Sequence, residues 1–185
     1  MNSYRNLMLD LETWGTRAGC AIRSIGAVFF DWDKPLGPTY YANVDDESCV
    51  ALGLTVDPVV VAWWGEQTPE AKTALDTNRM PITDALAGLL GFFEQSDEPG
   101  EVCVWSHGAT FDIPITDYAM HEAGLRTPWK FQNNRDTRTL ISLAGDLGIT
   151  WEPERIGVRH HALDDAKTRA LQMMELRRRV ITLHA

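Results

Sequence analysis

Two acidic residues near the start of the chain, Asp10 and Glu12, stand two positions apart in a segment whose polarity alternates. The alternation over residues 6–12 predicts a β-strand, on which both carboxylates project from one face and the intervening leucines from the other. Two neighbouring carboxylates repel each other unless a cation joins them. The pair is therefore suited to a divalent cation, although an isolated pair of this kind is more often a solvated strand end.

A third acid, Asp112, comes shortly after the apolar run Glu101–Trp105. That run predicts a short strand, and residues 113–123 predict a helix that Gly124 ends. Asp112 thus falls at a strand-to-helix junction. Aspartate is favoured at such a junction for purely local reasons, as a helix cap, so Asp112 alone indicates no chemistry.

The start of the last predicted helix carries two histidines and two aspartates, His160, His161, Asp164 and Asp165. On a regular helix, positions five apart point roughly 140° away from each other. His160 can therefore meet Asp165 only from a loop that enters the helix, and Gly157 with the non-periodic stretch before it permits such a loop. A lone histidine near an acid is more often a capping or core pair than a catalytic one.

The bulk composition narrows the classes of protein. A chain of 185 residues with 44% hydrophobic and 23% charged residues is expected to form one domain, here residues 1–185. Its net charge of −9 opposes long-range attraction to nucleic acid. The exception is an enzyme whose acids hold divalent metal, because bound cations reverse the local field at an approaching phosphate.

The N-terminal pattern and the cysteines bear on localisation. An acidic residue, Asp10, interrupts the first apolar run, which argues against a signal peptide. No apolar run approaches the roughly 20 residues that cross a bilayer, so no membrane partner is expected. The three cysteines, Cys20, Cys49 and Cys103, are an odd number without Cys-x-x-Cys pairing, and they predict buried thiols in a reducing cytoplasm.

Hydrophobic periodicity predicts the elements that must position these residues. Strands are expected at residues 6–12, 21–30, 40–44 and 101–105, and helices at two or three places within 57–93, then at 113–123, 137–147 and 162–183. Strands early in the chain, followed by mixed helices and strands, indicate an α/β or α+β domain.

Taken together, these acids and histidines resemble the three exonuclease motifs of the DEDDh, or DnaQ-like, superfamily. The motifs occur in order along the chain as Asp10-x-Glu12-Thr13, then Asp112 after a glycine-bearing loop, then His160-x-Ala162-x-x-Asp165. Each motif is weak singly, but all three in order would rarely arise by chance.

Four further features narrow the resemblance to the small bacterial and phage 3′-5′ exoribonucleases related to the polyadenylate-specific mycobacterial enzyme. These features are residues 8–15 (MLDLETWG), the tandem Trp63-Trp64, residues 135–138 (RDTR) and the ending at residues 160–166 (HHALDDA). The resemblance implies an α/β, ribonuclease H-like fold, with a central mixed five-stranded sheet flanked by helices. It also implies a homodimer.

Carried over residue by residue, the resemblance implies roles in a two-metal reaction. Asp10, Glu12, Asp112 and Asp165 correspond to the ligands of two Mg²⁺ or Mn²⁺ ions, and His160 corresponds to the general base. The motif requires an aspartate five residues after the histidine. His161 is the competing histidine, but the residue five positions after it is Ala166, and Asp164 likewise does not fit the spacing from His160. The expected substrate contacts are Thr13, Trp14, Gly15, Trp63, Phe111 and Arg138.

Two of these contacts have a structural alternative. Relatives commonly have methionine where this chain has Trp14, whose indole either stacks on the terminal base or packs in the core. Base stacking of that kind contributes roughly 1–3 kcal/mol per base. Arg138 is either a phosphate or orientation contact or a solvated, salt-bridged residue of a helix face.

The function expected from the resemblance is 3′-5′ exonucleolytic release of nucleoside 5′-monophosphates from a nucleic-acid 3′ end, with RNA favoured. A DNA-directed exonuclease of phage or replication and repair type is the alternative, because the same five residues cleave either polymer. A catalytically silent nucleic-acid-binding module would lack an acid or the histidine, and all five are present. A purely structural α/β domain would show no metal-dependent change in melting temperature.

Overall fold

One sheet of six strands organises the protein in the computed structural model, which describes residues 4–183. The strands are β1 Asn6–Thr13, β2 Ile22–Phe30, β3 Thr39–Val44, β4 Arg79–Met80, β5 Cys103–Ser106 and β6 Asn134–Asp136. Their order across the sheet is β4-β3-β2-β1-β5-β6. The β2 strand runs antiparallel to both of its neighbours, β1 and β3, whereas β5 is parallel to β1 and β6 is parallel to β5.

Between residues 4 and 183, seven α-helices flank this sheet. They are α1 Asp46–Ala51, α2 Pro58–Gly65, α3 Pro69–Leu75, α4 Ile82–Phe93, α5 Asp112–Glu122, α6 Thr137–Asp146 and α7 Ala162–Thr182. Prolines at the first turns of α2 and α3 follow N-caps whose side-chain oxygens, on Asp57 and Thr68, accept backbone N–H groups. The mixed α/β architecture confirms the expected fold class and is compatible with a ribonuclease H-like fold.

The sheet has six strands, so the expected number of five was wrong. The shortest strand, β4, consists of Arg79 and Met80, which pair in parallel with Asn43 and Val44 at the edge of the sheet. Two residues are too few to show a polarity period, so hydrophobic periodicity does not reveal this strand. The segment is extended because it pairs with β3.

The central strand β1 is covered on both faces. Leu7, Leu9 and Leu11 belong to the larger of two hydrophobic clusters, which includes residues of α4 and α5. Met8 lies on the other face, in a cluster with residues of α6 and α7. Because side chains alternate along a strand, Asp10 shares the face of Met8 and lies on the side that α7 covers.

A glycine brings α7 close to the sheet. Gly26 of β2 lies opposite Asp10 of β1 in the antiparallel register. A Cβ atom on Gly26 would lie 2.2 Å from the carbonyl carbon of Ala162, the first residue of α7. The missing side chain therefore lets the first turn of α7 rest on the strand beside Asp10.

The prediction that all three cysteines are buried holds for two of them. Cys20 and Cys49 are buried thiols, as predicted, whereas Cys103 is only half-buried, so the prediction of a buried thiol was wrong at that position. Over residues 4–183, no helix combines the length and apolar character needed to cross a membrane.

Candidate active site

The five side chains assigned to catalysis line one cavity of about 400 Å³. Asp10 and Glu12 come from β1, Asp112 from the first turn of α5, Asp165 from the first turn of α7 and His160 from the loop before α7. The fold therefore brings residues from both ends of the chain to a single site.

Asp112 reaches β1 with its side chain instead of capping its own helix. Its Oδ1 accepts the backbone N–H of Leu11 at 3.0 Å, between the two acids of β1. The N-cap of α5 is Phe111, which makes no side-chain capping bond. Asp112 is only 3% exposed, and its hydrogen bond joins the start of α5 to the strand that carries Asp10 and Glu12. The local capping role considered for Asp112 is therefore not what the structure shows.

His160 faces the carboxylates from a left-handed backbone conformation with φ of 61°. Its backbone N–H donates to Oδ2 of Asp165 at 3.2 Å, and its Nδ1 lies 3.8 Å from Oε1 of Glu12. Its ring meets the rings of Trp63 and Trp64 edge-on, with centroids 5.1 and 5.7 Å away. These contacts fix the imidazole beside Glu12.

The neighbouring histidine and aspartate have local structural roles. His161 is the N-cap of α7, where its Nδ1 accepts the backbone N–H of Asp164 at 3.4 Å. The His161 ring also stacks on Tyr41 with centroids 4.2 Å apart. Oδ2 of Asp164 accepts the backbone N–H of Val158 at 3.0 Å. Neither side chain lines the cavity, in agreement with the register that favours His160 and Asp165.

Burial and mutual repulsion raise the pKa values of the site carboxyls. The pKa of Asp10 lies well above its ordinary value because of burial and then the charges of Asp112, Glu12 and Asp165. Burial, followed by the charges of Asp165 and Asp112, raises the pKa of Glu12 to about 8. Burial also raises the pKa of Asp112 to about 7. Ionising this cluster at neutral pH is unfavourable unless a cation compensates the charge.

The donor set fits a hard divalent cation. Glu12, His160 and Asp165 each place one ligand atom so that all three atoms lie within 4.8 Å of one another. Asp10 and Asp112 add two more carboxylates to the lining of the same cavity. Oxygen-dominated sites favour Mg²⁺ or Mn²⁺ over zinc. The raised pKa values and the oxygen donors are therefore both what a site for such ions requires.

The pKa of His160 is lower than that of an ordinary histidine. Burial is the largest cause, followed by the positive charge of Arg159, while Asp165 acts in the opposite direction. A lowered pKa keeps the imidazole neutral at physiological pH, in the form that can accept a proton.

Three arginines on the cavity wall escaped the sequence analysis. Arg155, Arg159 and Arg169 line the cavity, and Arg155 forms an ion pair with Asp165. Arg169 could have been found, because it stands four residues after Asp165 in a predicted helix and so shares its face. Arg155 and Arg159 lie in an irregular segment, where no periodicity indicates the direction of a side chain.

A second, largely apolar pocket of about 390 Å³ adjoins the first, with which it shares Leu11, Glu12 and Phe111. It contains four of the six expected substrate contacts, namely Thr13, Gly15, Trp63 and Phe111. Trp63 is 42% exposed, so part of its indole remains accessible in this pocket.

The other two expected contacts, Trp14 and Arg138, line neither pocket. The indole Nε1 of Trp14 donates to Oδ1 of Asp46 at 2.6 Å, and its ring lies 4.0 Å from the guanidinium carbon of Arg23. These contacts correspond to the packing alternative for Trp14. The positive charge of Arg138 opposes the rise that burial causes in the pKa of Asp112.

The amino-acid sequence matches the model of a known protein family. The family model described as the Rv2179c-like 3′-5′ exoribonuclease domain matches residues 5–176. No curated protein matches the chain. The matched range spans all six strands and most of α7, and it includes every side chain of the cavity.

Proposed function

Because the chain belongs to the Rv2179c-like 3′-5′ exoribonuclease domain family, we propose that it is a metal-dependent exoribonuclease. It releases nucleoside 5′-monophosphates one at a time from the 3′ end of RNA. The observation that carries the proposal is the convergence of four carboxylates and His160 on one cavity. The exonuclease domain comprises residues 1–185, of which residues 1–3 and 184–185 lie outside the described range.

Asp10, Glu12, Asp112 and Asp165 would hold two ions of Mg²⁺ or Mn²⁺. When bound, such ions lower the pKa of water and stabilise the attacking and leaving oxygens of a displacement at phosphorus. Their binding is supported by the raised pKa values of Asp10, Glu12 and Asp112, because burial, and for Asp10 and Glu12 also the neighbouring carboxylates, makes ionisation unfavourable until a cation binds.

His160 accepts the proton of the attacking water. Its Nδ1 faces Oε1 of Glu12 at 3.8 Å, so the nitrogen lies at the edge of the carboxylate cluster. The lowered pKa of His160 keeps the imidazole neutral near neutral pH, so that one of its two ring nitrogens can accept a proton. A general base positioned in this way accelerates a reaction by roughly 10²- to 10⁴-fold.

The apolar pocket receives the terminal nucleoside. Trp63 and Phe111 supply aromatic surface for the base, and Glu12 belongs to both pockets, so a nucleoside bound there places its phosphate at the carboxylates. The hydroxyl of Thr13 donates to the carbonyl of Gly15 at 2.6 Å, which fixes the turn at the pocket's edge. Arg138 lines neither pocket and contributes through its positive charge, which opposes the rise in the pKa of Asp112.

The homodimer is what the family resemblance implies, whereas the cytoplasmic location rests on the cysteines and on the acidic residue that interrupts the first apolar run. We expect a cytoplasmic homodimer, and light scattering of the purified protein should give twice the mass of one chain.

A DNA-directed 3′-5′ exonuclease remains the second candidate, since the same five residues suit either polymer. A catalytically silent binding module is disfavoured by the presence of all five side chains in one cavity.

The decisive experiment incubates the protein and Mg²⁺ with 5′-labelled RNA and DNA of one sequence. We expect stepwise shortening of RNA from its 3′ end, release of 5′-monophosphates and complete inhibition by EDTA. Asp165→Asn should abolish release, whereas Asp164→Asn, next to it but outside the cavity, should retain activity. Faster cleavage of DNA would favour the second candidate, and no release from either polymer would exclude both.

A further inference from the structure

The cavity contains side chains of both charges. Three arginines, Arg155, Arg159 and Arg169, line it together with five carboxylates, those of Asp10, Glu12, Asp112, Glu152 and Asp165. The chain has only 17 lysines and arginines and a net charge of −9, so three arginines at one cavity are a local concentration of positive charge. Because five carboxylates line the same cavity, these arginines can neutralise acids as well as bind an anionic ligand, and the contacts of each arginine distinguish the two roles.

The loop that carries two of these arginines is bound to the start of α7. The backbone N–H of Ile156 donates to Oγ1 of Thr168 at 3.1 Å, and that of Val158 donates to Oδ2 of Asp164 at 3.0 Å. The backbone of Arg155 is therefore held close to α7. Its side chain is 44% exposed, so that the guanidinium is accessible from solvent.

Arg155 and His160 occupy both oxygens of Asp165. Nη1 of Arg155 donates to Oδ1, and the backbone N–H of His160 donates to Oδ2 at 3.2 Å. The hydrogen bond from His160 only orients the carboxylate. The guanidinium of Arg155, in contrast, supplies the positive charge that a bound cation would otherwise supply.

We propose that Arg155 is a substrate-binding residue that exchanges partners. It neutralises Asp165 while no divalent cation is bound, and it binds a phosphate of the nucleic acid once a cation has taken its place. A partly exposed ion pair is weak enough to be exchanged, and a planar guanidinium suits a phosphate as well as a carboxylate. This inference rests on the proposed metal-dependent function.

The first test measures metal binding without nucleic acid. Mn²⁺ is titrated calorimetrically into the wild-type protein, Arg155→Gln and Arg159→Gln. Removing the competing guanidinium should make Arg155→Gln bind Mn²⁺ about fivefold more tightly, as the loss of a partly exposed ion pair implies. Arg159 lines the same cavity without pairing with Asp165, so Arg159→Gln removes the same charge and should change the affinity by less than about twofold.

The second test measures binding of adenosine 5′-monophosphate, the class of product that the reaction releases, in saturating Mn²⁺. Loss of a charge-assisted hydrogen bond to phosphate should make Arg155→Gln bind the nucleotide about tenfold more weakly. Arg155→Lys should lie between, because it keeps the charge but not the planar fork. Tighter metal binding combined with weaker nucleotide binding distinguishes an exchange from a structural role, which would weaken both.

Each result decides between the inference and its competitors. Equal Mn²⁺ affinities in wild type and Arg155→Gln, or an equal gain in Arg159→Gln, would overturn the exchange while leaving the metal-dependent function intact. Unchanged nucleotide binding in Arg155→Gln would overturn the phosphate contact. Absence of Mn²⁺ binding by the wild-type protein would overturn the proposed function, and the exchange with it.

Discussion

His160 lies at a position where two roles compete. Its Nδ1 is 3.8 Å from Oε1 of Glu12, which suits a base that acts on water beside the carboxylates. The same residue belongs to the trio with Glu12 and Asp165 whose ligand atoms lie within 4.8 Å of one another. A base and a ligand differ in a measurable way, since only the ligand contributes to metal affinity.

We expect His160→Asn to reduce kcat by roughly 10²- to 10⁴-fold while leaving Mn²⁺ affinity nearly unchanged. The pKa of His160 is lowered, so the wild-type rate should fall only when the pH drops through that lowered value and protonates the imidazole. In the variant this acidic limb should disappear. Measurements of kcat against pH, together with Mn²⁺ titrations, test both statements.

The matched control is His161→Asn. His161 caps α7, and asparagine is itself a favoured N-cap residue, so this variant should keep both its fold and its rate. A large loss of Mn²⁺ affinity in His160→Asn would assign His160 to the ligands. An acidic limb that persists in that variant would remove its role as base.

At the scale of elements, the contact between α7 and β2 determines where Asp165 lies. Gly26 permits this contact because it has no Cβ atom. A Cβ atom at this position would lie 2.2 Å from the backbone carbonyl carbon of Ala162. We therefore expect Gly26→Ala to push the start of α7 outward and to destabilise the fold by about 1–3 kcal/mol, the usual range for overpacking. Urea unfolding gives this free energy, and Mn²⁺ titration should show weaker binding, because Asp165 moves with the helix.

Gly91 provides the control for this substitution. It lies within α4, and a Cβ atom there would meet nothing within 4 Å. Gly91→Ala should therefore stabilise the protein by about 0.5–1 kcal/mol, the ordinary gain from removing a glycine from a helix interior. Unfolding free energies that agree between Gly26→Ala and the wild type would contradict the close approach of α7.

The elements that periodicity predicts are those long enough to show a period. The β1, β2 and α7 elements were predicted to within a few residues, because each has a sustained polarity pattern. The α1, β4 and β6 elements were missed. They contain only six, two and three residues, and the two strands form only where a longer neighbour pairs with them.

At the scale of the whole molecule, topology joins residues that are distant in sequence. Because β5 runs parallel to β1, the carboxyl ends of the two strands point to the same edge of the sheet, where Asp112 meets Asp10 and Glu12. The resemblance of the three motifs to those of the exonuclease superfamily predicted this meeting. The position of Trp14 against Asp46, and that of Arg155 against Asp165, depend on tertiary packing that no local pattern encodes.

The buried carboxylates should make the metal-free molecule less stable as pH rises. The folded pKa values of Glu12 and Asp112, about 8 and about 7, exceed the ordinary values of their side chains. A carboxyl with a raised folded pKa destabilises the fold when ionised, and this penalty disappears as pH falls through the folded pKa towards the ordinary value. We therefore expect Tm in EDTA to rise as the pH is lowered from about 8 to about 6.

Divalent metal should reverse this dependence, because it binds the ionised carboxylates of the folded state only. At about 100 times its Kd a ligand stabilises the fold by about 2.7 kcal/mol, which corresponds to a rise in Tm of roughly 5–10 °C for a chain of this size. Scanning calorimetry at about pH 8 with and without Mg²⁺ measures the rise. Asp112→Asn, which still offers an oxygen to the N–H of Leu11, should flatten the pH dependence in EDTA and reduce the response to Mg²⁺. If Tm in EDTA instead fell as the pH was lowered from about 8 to about 6, these carboxylates would already be compensated by charges within the protein itself.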